Sequence, residues 1–109
     1  MAAIKKNPDN FEFKTSTGRV FKYEKLKRSE RMELVLACGT EGSGNMIYFA
    51  NVMMASGIRE IDGFPNPLPR NKMEINRMLD LLDEDFDEFM VEWSSRQPTG
   101  EELVTEIKN

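Results

Sequence analysis

Apolar residues recur at two different periods along this chain, and the change from one to the other divides it. Over residues 11–25 apolar and charged side chains alternate, with Phe11 and Phe13 on one face of a first run and Val20 set against Phe21 and Tyr23 in a second. Alternation of period two is a strand pattern, and Ser16, Thr17 and Gly18 between the runs supply a tight turn with a glycine able to take positive φ. The spacing therefore predicts a β-hairpin. A lone hairpin is marginal in water, so its aromatic face has to pack on whatever follows.

From residue 30 onward the apolar spacing lengthens to three or four, the period of a helix. Ser29 is the expected N-cap of a helix over residues 30–38, with Glu30 and Glu33 near its positive end and Met32, Leu34, Val35 and Cys38 turned inward. Gly39 should end it, leaving residues 39–44 as a loop. Asn45 should cap a second helix over residues 46–56, closed by Gly57. Met46, Ile47, Phe49, Ala50, Met53 and Met54 cover more than half of that helix, which predicts burial on several sides. Residues 58–61 read as a short strand or extended connector, with Asp62 and Gly63 as a turn behind it. The three prolines at positions 65, 67 and 69 remove amide donors and exclude regular helix there.

The longest pattern is the last. Ile75, Met78, Leu79, Leu82, Phe86, Phe89, Met90 and Trp93 step by three or four along an acidic backdrop. Two helices are expected rather than one, the first over residues 71–82 and the second capped by Asp83 and running to residue 93, because Asp83, Glu84 and Asp85 suit a first turn. Past Pro98 a small helix over residues 101–107 is held only by Leu103, Val104 and Ile107. Together these elements predict an α+β protein, mainly α, with an N-terminal β-hairpin packed on a bundle of about four helices. Residues 10–97 form its single domain, residues 1–9 a flexible N-terminus, and residues 98–109 a loosely attached C-terminal helix or tail.

Composition changes this picture in one respect. At 109 residues, 39% hydrophobic and 31% charged, the chain has one modest core and much solvated surface. Its net charge of −4 conceals a division: residues 1–31 carry nine Lys and Arg against four Asp and Glu, and the remainder six against fifteen. A single cysteine excludes an internal disulfide, and the lack of histidine argues against zinc, so no metal or cofactor is expected. With no apolar leader and no run long enough to span a bilayer, the expected location is the cytoplasm.

Candidate chemistry is sparse. Asp83, Asp85 and Asp87 have the one-three-five spacing of an EF-hand loop, but Glu88 stands where the turn glycine belongs and Ser94 where the bidentate Glu belongs. The loop over residues 39–45 resembles a phosphate cradle only in its glycines, since it lacks the Lys and Ser/Thr of a P-loop and carries Glu41. Cys38 has no base to activate it and reads as a small core residue. The carboxylates of the acidic segment read as solvent-facing, and no catalytic residue is assigned. The aromatics interleaved with lysines in the hairpin face away from those lysines, which argues against a nucleic-acid surface. Head-to-tail contact between the basic hairpin and acidic helical end of two copies, and a solvated surface without special purpose, both fit the charge pattern.

At residues 58–63 (IREIDG), and again in the acidic, leucine- and phenylalanine-bearing segment over residues 78–93, the chain resembles the tail assembly chaperones of long-tailed bacteriophages and prophages. The likeness in layout covers residues 11–93. It implies a non-catalytic role in virion morphogenesis: coating and solubilising the helical tape-measure protein, then yielding to the tail tube protein as it polymerises. It also implies that a longer, frameshifted form can exist. Flexible methionines suit a groove for an amphipathic helical client. Such a partner surface, also used for self-association, is expected on Met46, Phe49, Met53, Met78, Leu82, Phe86, Phe89, Met90 and Trp93. Two other readings remain open, a structural tail or head-to-tail joining subunit of the virion and an acidic inhibitor or DNA mimic.

Overall fold

Strand pairing organises the first half of the structure, a computed structural model that describes residues 7–97. Strand β1 (Asn10–Lys14) pairs antiparallel with β2 (Val20–Glu24), placing Phe11 opposite Tyr23 and Phe13 opposite Phe21, as the alternation predicts. Two further strands extend this hairpin. β3 (Ile58–Ile61) lies against β2 and the two-residue β4 (Phe64–Pro65) against β3, giving a four-stranded antiparallel sheet in the order β1-β2-β3-β4. Asp62 and Gly63 connect β3 and β4 with both φ angles positive, at 53° and 83°, a turn whose twist matches that of the flanking strands.

β3 carries an irregularity that sequence alternation does not reveal. Ile58 and Ile61 are three residues apart, so a regular strand would point them to opposite faces. The register instead slips between Lys22 opposite Glu60 and Tyr23 opposite Ile58. That bulge turns both isoleucines toward the core, Ile58 fully buried and Ile61 packed at its edge. It also leaves the Arg59 guanidinium to reach across to Glu30, with N–O distances of 2.7 and 2.8 Å.

Four helices occupy the described residues: α1 (Arg28–Gly44), α2 (Met46–Ser56), α3 (Lys72–Leu82) and α4 (Asp85–Arg96). The protein is thus α+β and mainly α. α1 starts before the expected Ser29 cap, and its opening turn is closed by the Lys27 amide donating to Glu30 at 2.8 Å. It does break at Gly39, which takes φ 73° and ψ 176°, a conformation open to glycine, yet one more helical turn follows where a loop is expected. Its inward stripe is narrower than expected as well. Leu34 and Cys38 are buried, whereas Met32 lies about 200° around the helix from Leu34 and is 60% exposed.

Of the later caps, Asn45 falls where the sequence places it, Asn71 caps α3 rather than beginning it, and the cap expected at Asp83 falls instead at Glu84, which makes no side-chain bond, while Asp83 ends α3. Asn45 accepts from the Tyr48 amide at 3.0 Å and Asn71 from the Glu74 amide at 2.9 Å. Gly57 closes α2 because nothing larger fits: a Cβ there would lie 2.4 Å from Cε1 of Tyr23. α3 and α4 are separate helices, broken at Asp83 and Glu84. The small helix read over residues 101–107, with the rest of the tail over 98–109 and the first six residues of the N-terminus, lies outside the described residues.

Two cores result. α4 lies along the hairpin, and Phe89 packs with Phe11, Phe21, Tyr23, Ile58, Met78, Leu82 and Phe86. α1, α2 and α3 enclose the second core of Leu34, Cys38, Val52 and Ile75, with Leu26 from the β2–α1 link. Met54 and Ala55 of α2 and Met78 and Leu82 of α3 belong to the first core, so these two helices join both.

Two outcomes follow. The Arg59 guanidinium, and next the Lys27 amide, lower the Glu30 carboxyl from 4.5 to about 2. A depressed folded value means this contribution to stability is complete above pH 4.5 and is lost as pH falls from there through about 2. In urea titrations Glu30→Gln should flatten the acid limb of stability in that window. At Asp83, φ 49° with ψ −138° is a backbone state rarely taken by a side-chain-bearing residue. Such strain costs about 1–3 kcal/mol, against about 0.5–1 for the extra chain entropy of glycine, so Asp83→Gly should stabilise the fold by about 1 kcal/mol in denaturant unfolding.

Candidate functional site

The apolar stripe expected to face a partner faces the interior instead. Met78, Leu82, Phe86 and Phe89 are buried in the hairpin core, and Met90 and Trp93 are half-buried against it. Phe49 and Met53 are half-buried against the second core. Met78, Leu82 and Phe89 are thereby corrected from docking residues to core residues, Phe86 keeps only an edge on a groove, and Phe49, Met53, Met90 and Trp93 stay partly exposed. The physical reason is that the hairpin offers an aromatic face that must leave water, and α4 carries the stripe that covers it. Of the nine residues only Met46 is exposed, at 85%. The expected burial of α2 on several sides also fails at its first turn, where Ile47 is 79% exposed.

Ile47 lines an open groove of about 490 Å³ between α2 and the corner where α3 turns into α4. Asn45, Ile47, Tyr48 and Asn51 form one wall, and Leu79 with the rim of Phe86 forms the other. Asn51 bonds back to its own helix, its amide donating to the Ile47 carbonyl at 2.8 Å. The opening is thus mainly apolar, with the exposed Ile47 on its wall and the exposed Met46 next to Ile47 in the helix. Across α1, Met32 and Leu36 sit one turn apart on the outward face, Leu36 at 82% exposure.

The corner itself is held by Arg19, at the start of β2. Its Nη1 and Nη2 donate to the Leu81 and Leu82 carbonyls at 2.7 and 2.6 Å, and its Nε donates to Asp85 at 2.7 Å. Helix C-termini leave carbonyls without partners, and here one planar guanidinium meets two of them together with the first acid of the next helix. The Thr17 hydroxyl also donates to Asp85, at 2.7 Å, while Ser16 gives Glu88 its amide at 2.9 Å and its hydroxyl at 2.7 Å. The Thr17 hydroxyl first, and the Arg19 guanidinium after it, hold the Asp85 carboxyl below its usual range although burial opposes them.

These bonds correct the reading of the acidic segment as wholly solvent-facing, since the Asp85 side chain is buried and Glu88 is tied to the hairpin turn. Asp85 also meets Arg19 where the one-three-five spacing would ask it to face a cation, and no cluster of three or more potential metal ligands occurs among the described residues. Cys38 is buried in the second core, where burial pushes its thiol up and away from the reactive thiolate. No helix among the described residues is long and apolar enough to cross a membrane.

No protein-family model, curated protein or solved structure matches the chain.

Because Arg19 fixes the corner that carries Leu79 and Phe86, its removal should disturb the fold and the groove together. Arg19→Ala should cost about 2 kcal/mol from the two carbonyl bonds alone, read from the urea midpoint. Arg19→Lys keeps the charge but not the fork, and should recover only part of the loss.

Proposed function

We propose that this protein is a non-catalytic assembly chaperone that holds an apolar stripe of an amphipathic helical client in the groove between α2 and the α3–α4 corner. The observation that carries the reading is a concave apolar opening whose wall includes the exposed Ile47, next in the helix to the exposed Met46. Contiguous apolar surface of this kind marks a binding site more often than scattered exposed residues do. A helix laid in such a groove buries side chains at every third or fourth position, and an exposed methionine adapts to several shapes.

Joined to the resemblance in residues 58–63 and 78–93, this makes the client a tape-measure protein: a long helical rod kept soluble in the bacterial host cytoplasm until the tail tube protein replaces the chaperone. The engagement of Asp85 and Glu88 by the hairpin turn supports this reading over a DNA mimic, because it removes two acids from any surface row of charges.

Met46 and Ile47 are exposed, so charging them leaves both cores intact. Met46→Asp and Ile47→Asp should each weaken client binding roughly tenfold and lower the soluble fraction of a co-expressed tape-measure protein, while circular dichroism stays as in the parent. Unchanged client solubility with both variants would show that the groove is not the client site.

A further inference from the structure

The sheet ends on two unlike edges. β4 is two residues long and one of them is Pro65, which has no amide hydrogen to donate, so that edge cannot carry a ladder. β1 is five residues long, and its outer edge is open among the described residues. The bonds at either end of the hairpin decide which of its backbone groups face outward. The Thr15 amide donates to the Arg19 carbonyl and the Lys25 amide to the Asp9 carbonyl, both at 2.8 Å. Antiparallel pairs alternate between bonded and non-bonded, so the odd-numbered residues of β1 bond to β2. The amides and carbonyls of Asn10, Glu12 and Lys14 point the other way, and none of them has a partner among the described residues.

α4 leaves this edge accessible. Phe89 packs among rings from both strands, Phe11 and Phe13 of β1 and Phe21 and Tyr23 of β2, so the helix lies over the hairpin rather than beyond its rim. Phe11 is buried beneath it, whereas Phe13 is only half-buried.

The edge is also self-complementary in charge. Glu12 and Lys14 are exposed on the sheet face away from α4. When two β1 edges meet antiparallel about a twofold axis at Phe13, Glu12 of each copy falls opposite Lys14 of the other, and each such pair can exchange both backbone bonds. Sliding by two residues, the step that keeps outward groups facing one another, sets Glu12 against Glu12 in one direction and Lys14 against Lys14 in the other. In the register centred on Phe13 the row across the joined sheets alternates in sign, from Glu60 to Lys22 to Glu12 and then to Lys14 of the second copy. On the opposite face α4 brings Glu88, Glu92 and Arg96 toward this edge, and each is engaged within its own copy. Glu88 accepts from Ser16, and Arg96 bonds to Glu92 at 2.6 Å.

We propose that β1 pairs antiparallel with β1 of a second copy in this register, joining two four-stranded sheets into one. The Phe13 rings oppose each other at the axis as a non-bonded pair, the closer kind, and cover each other's open side. The contact is isologous, and because the β4 edge cannot continue it, assembly ends at two copies. The pairing uses no residue of the α2 groove, so it stands or falls apart from the client reading.

Sedimentation velocity of the full chain over a concentration series, with amide hydrogen exchange followed by NMR, tests it. The parent should pass from monomer to dimer and no further. The Glu12 and Lys14 amides, open to exchange in the monomer, should become protected as the dimer forms. Glu12→Lys and Lys14→Glu should each weaken dimerisation about tenfold, because the twofold axis repeats the like-charge pair. An equimolar mixture of the two variants should recover association, and so should both changes made together in one chain. That last recovery belongs to this register alone, since with Glu12 opposite Glu12 the doubly changed chain would set lysine against lysine. Lys14 faces Val20 within the hairpin, so its change adds no like-charge pair to the fold and circular dichroism should stay as in the parent. A parent that stays monomeric or grows past the dimer, single variants that associate like the parent, a doubly changed chain as weak as the single variants, or Glu12 and Lys14 amides that exchange equally fast at every concentration each overturns the proposal.

Discussion

Phe89 is where the hairpin and the helices become one body. Its ring centroid lies 5.5 Å from Tyr23, 5.7 Å from Phe11, 6.1 Å from Phe86, 6.3 Å from Phe21 and 6.4 Å from Phe13. All five distances fall within the range at which aromatic pairs attract, in a mixture of stacked, tilted and edge-on geometries. Neither partner is self-sufficient. An isolated hairpin is marginal, and a helix as short as α4 is marginal as well, so each needs the surface the other offers. Fully burying such a side chain is worth about 1.5–3 kcal/mol before the ring contacts are counted.

Charge decides how that hydrophobic contact is oriented. Polar contacts line the seam between hairpin and α4: Arg19 binds Asp85, Ser16 donates to Glu88 and Arg96 covers Phe11. Together these fix α4 antiparallel to β1, from the hairpin turn at its first residues to the strand's beginning at its last. Ion pairs at a surface add little stability by themselves. Arg19 matters because it also satisfies the carbonyls that end α3, so the charge is spent on a corner that would otherwise leave backbone groups unmet.

Much of the fold was legible in the sequence for reasons that are local. Strand alternation, the Asn45 cap and the helix break at Asp83 are written in neighbouring residues, and the structure has each. What was not legible depends on tertiary partners. Periodicity says that Met78, Leu82, Phe86 and Phe89 share a face, but not whether that face meets this chain or another, and here the hairpin claimed it. The bulge that turns Ile58 and Ile61 inward is a property of the pairing with β2, so a single strand's pattern cannot announce it. The better signal for a surface lay in residues left over once the inward faces were filled. Leu36 stands opposite Leu34 and Cys38 on α1, and Ile47 sits at the first turn of α2, away from its buried end.

α3 walls the opening beside α2 on one side and a second opening, beside the proline-bearing connector after β4, on the other. Leu79 faces the opening beside α2, while Met78 and Leu81 border the one beside the connector. The helix is held at one end by the Asn71 cap and at the other by Arg19, and Ile75, Met78 and Leu82 anchor its length in the two cores. A helix so fixed has little freedom to rotate between two packings, which is what coupling between its sides would require.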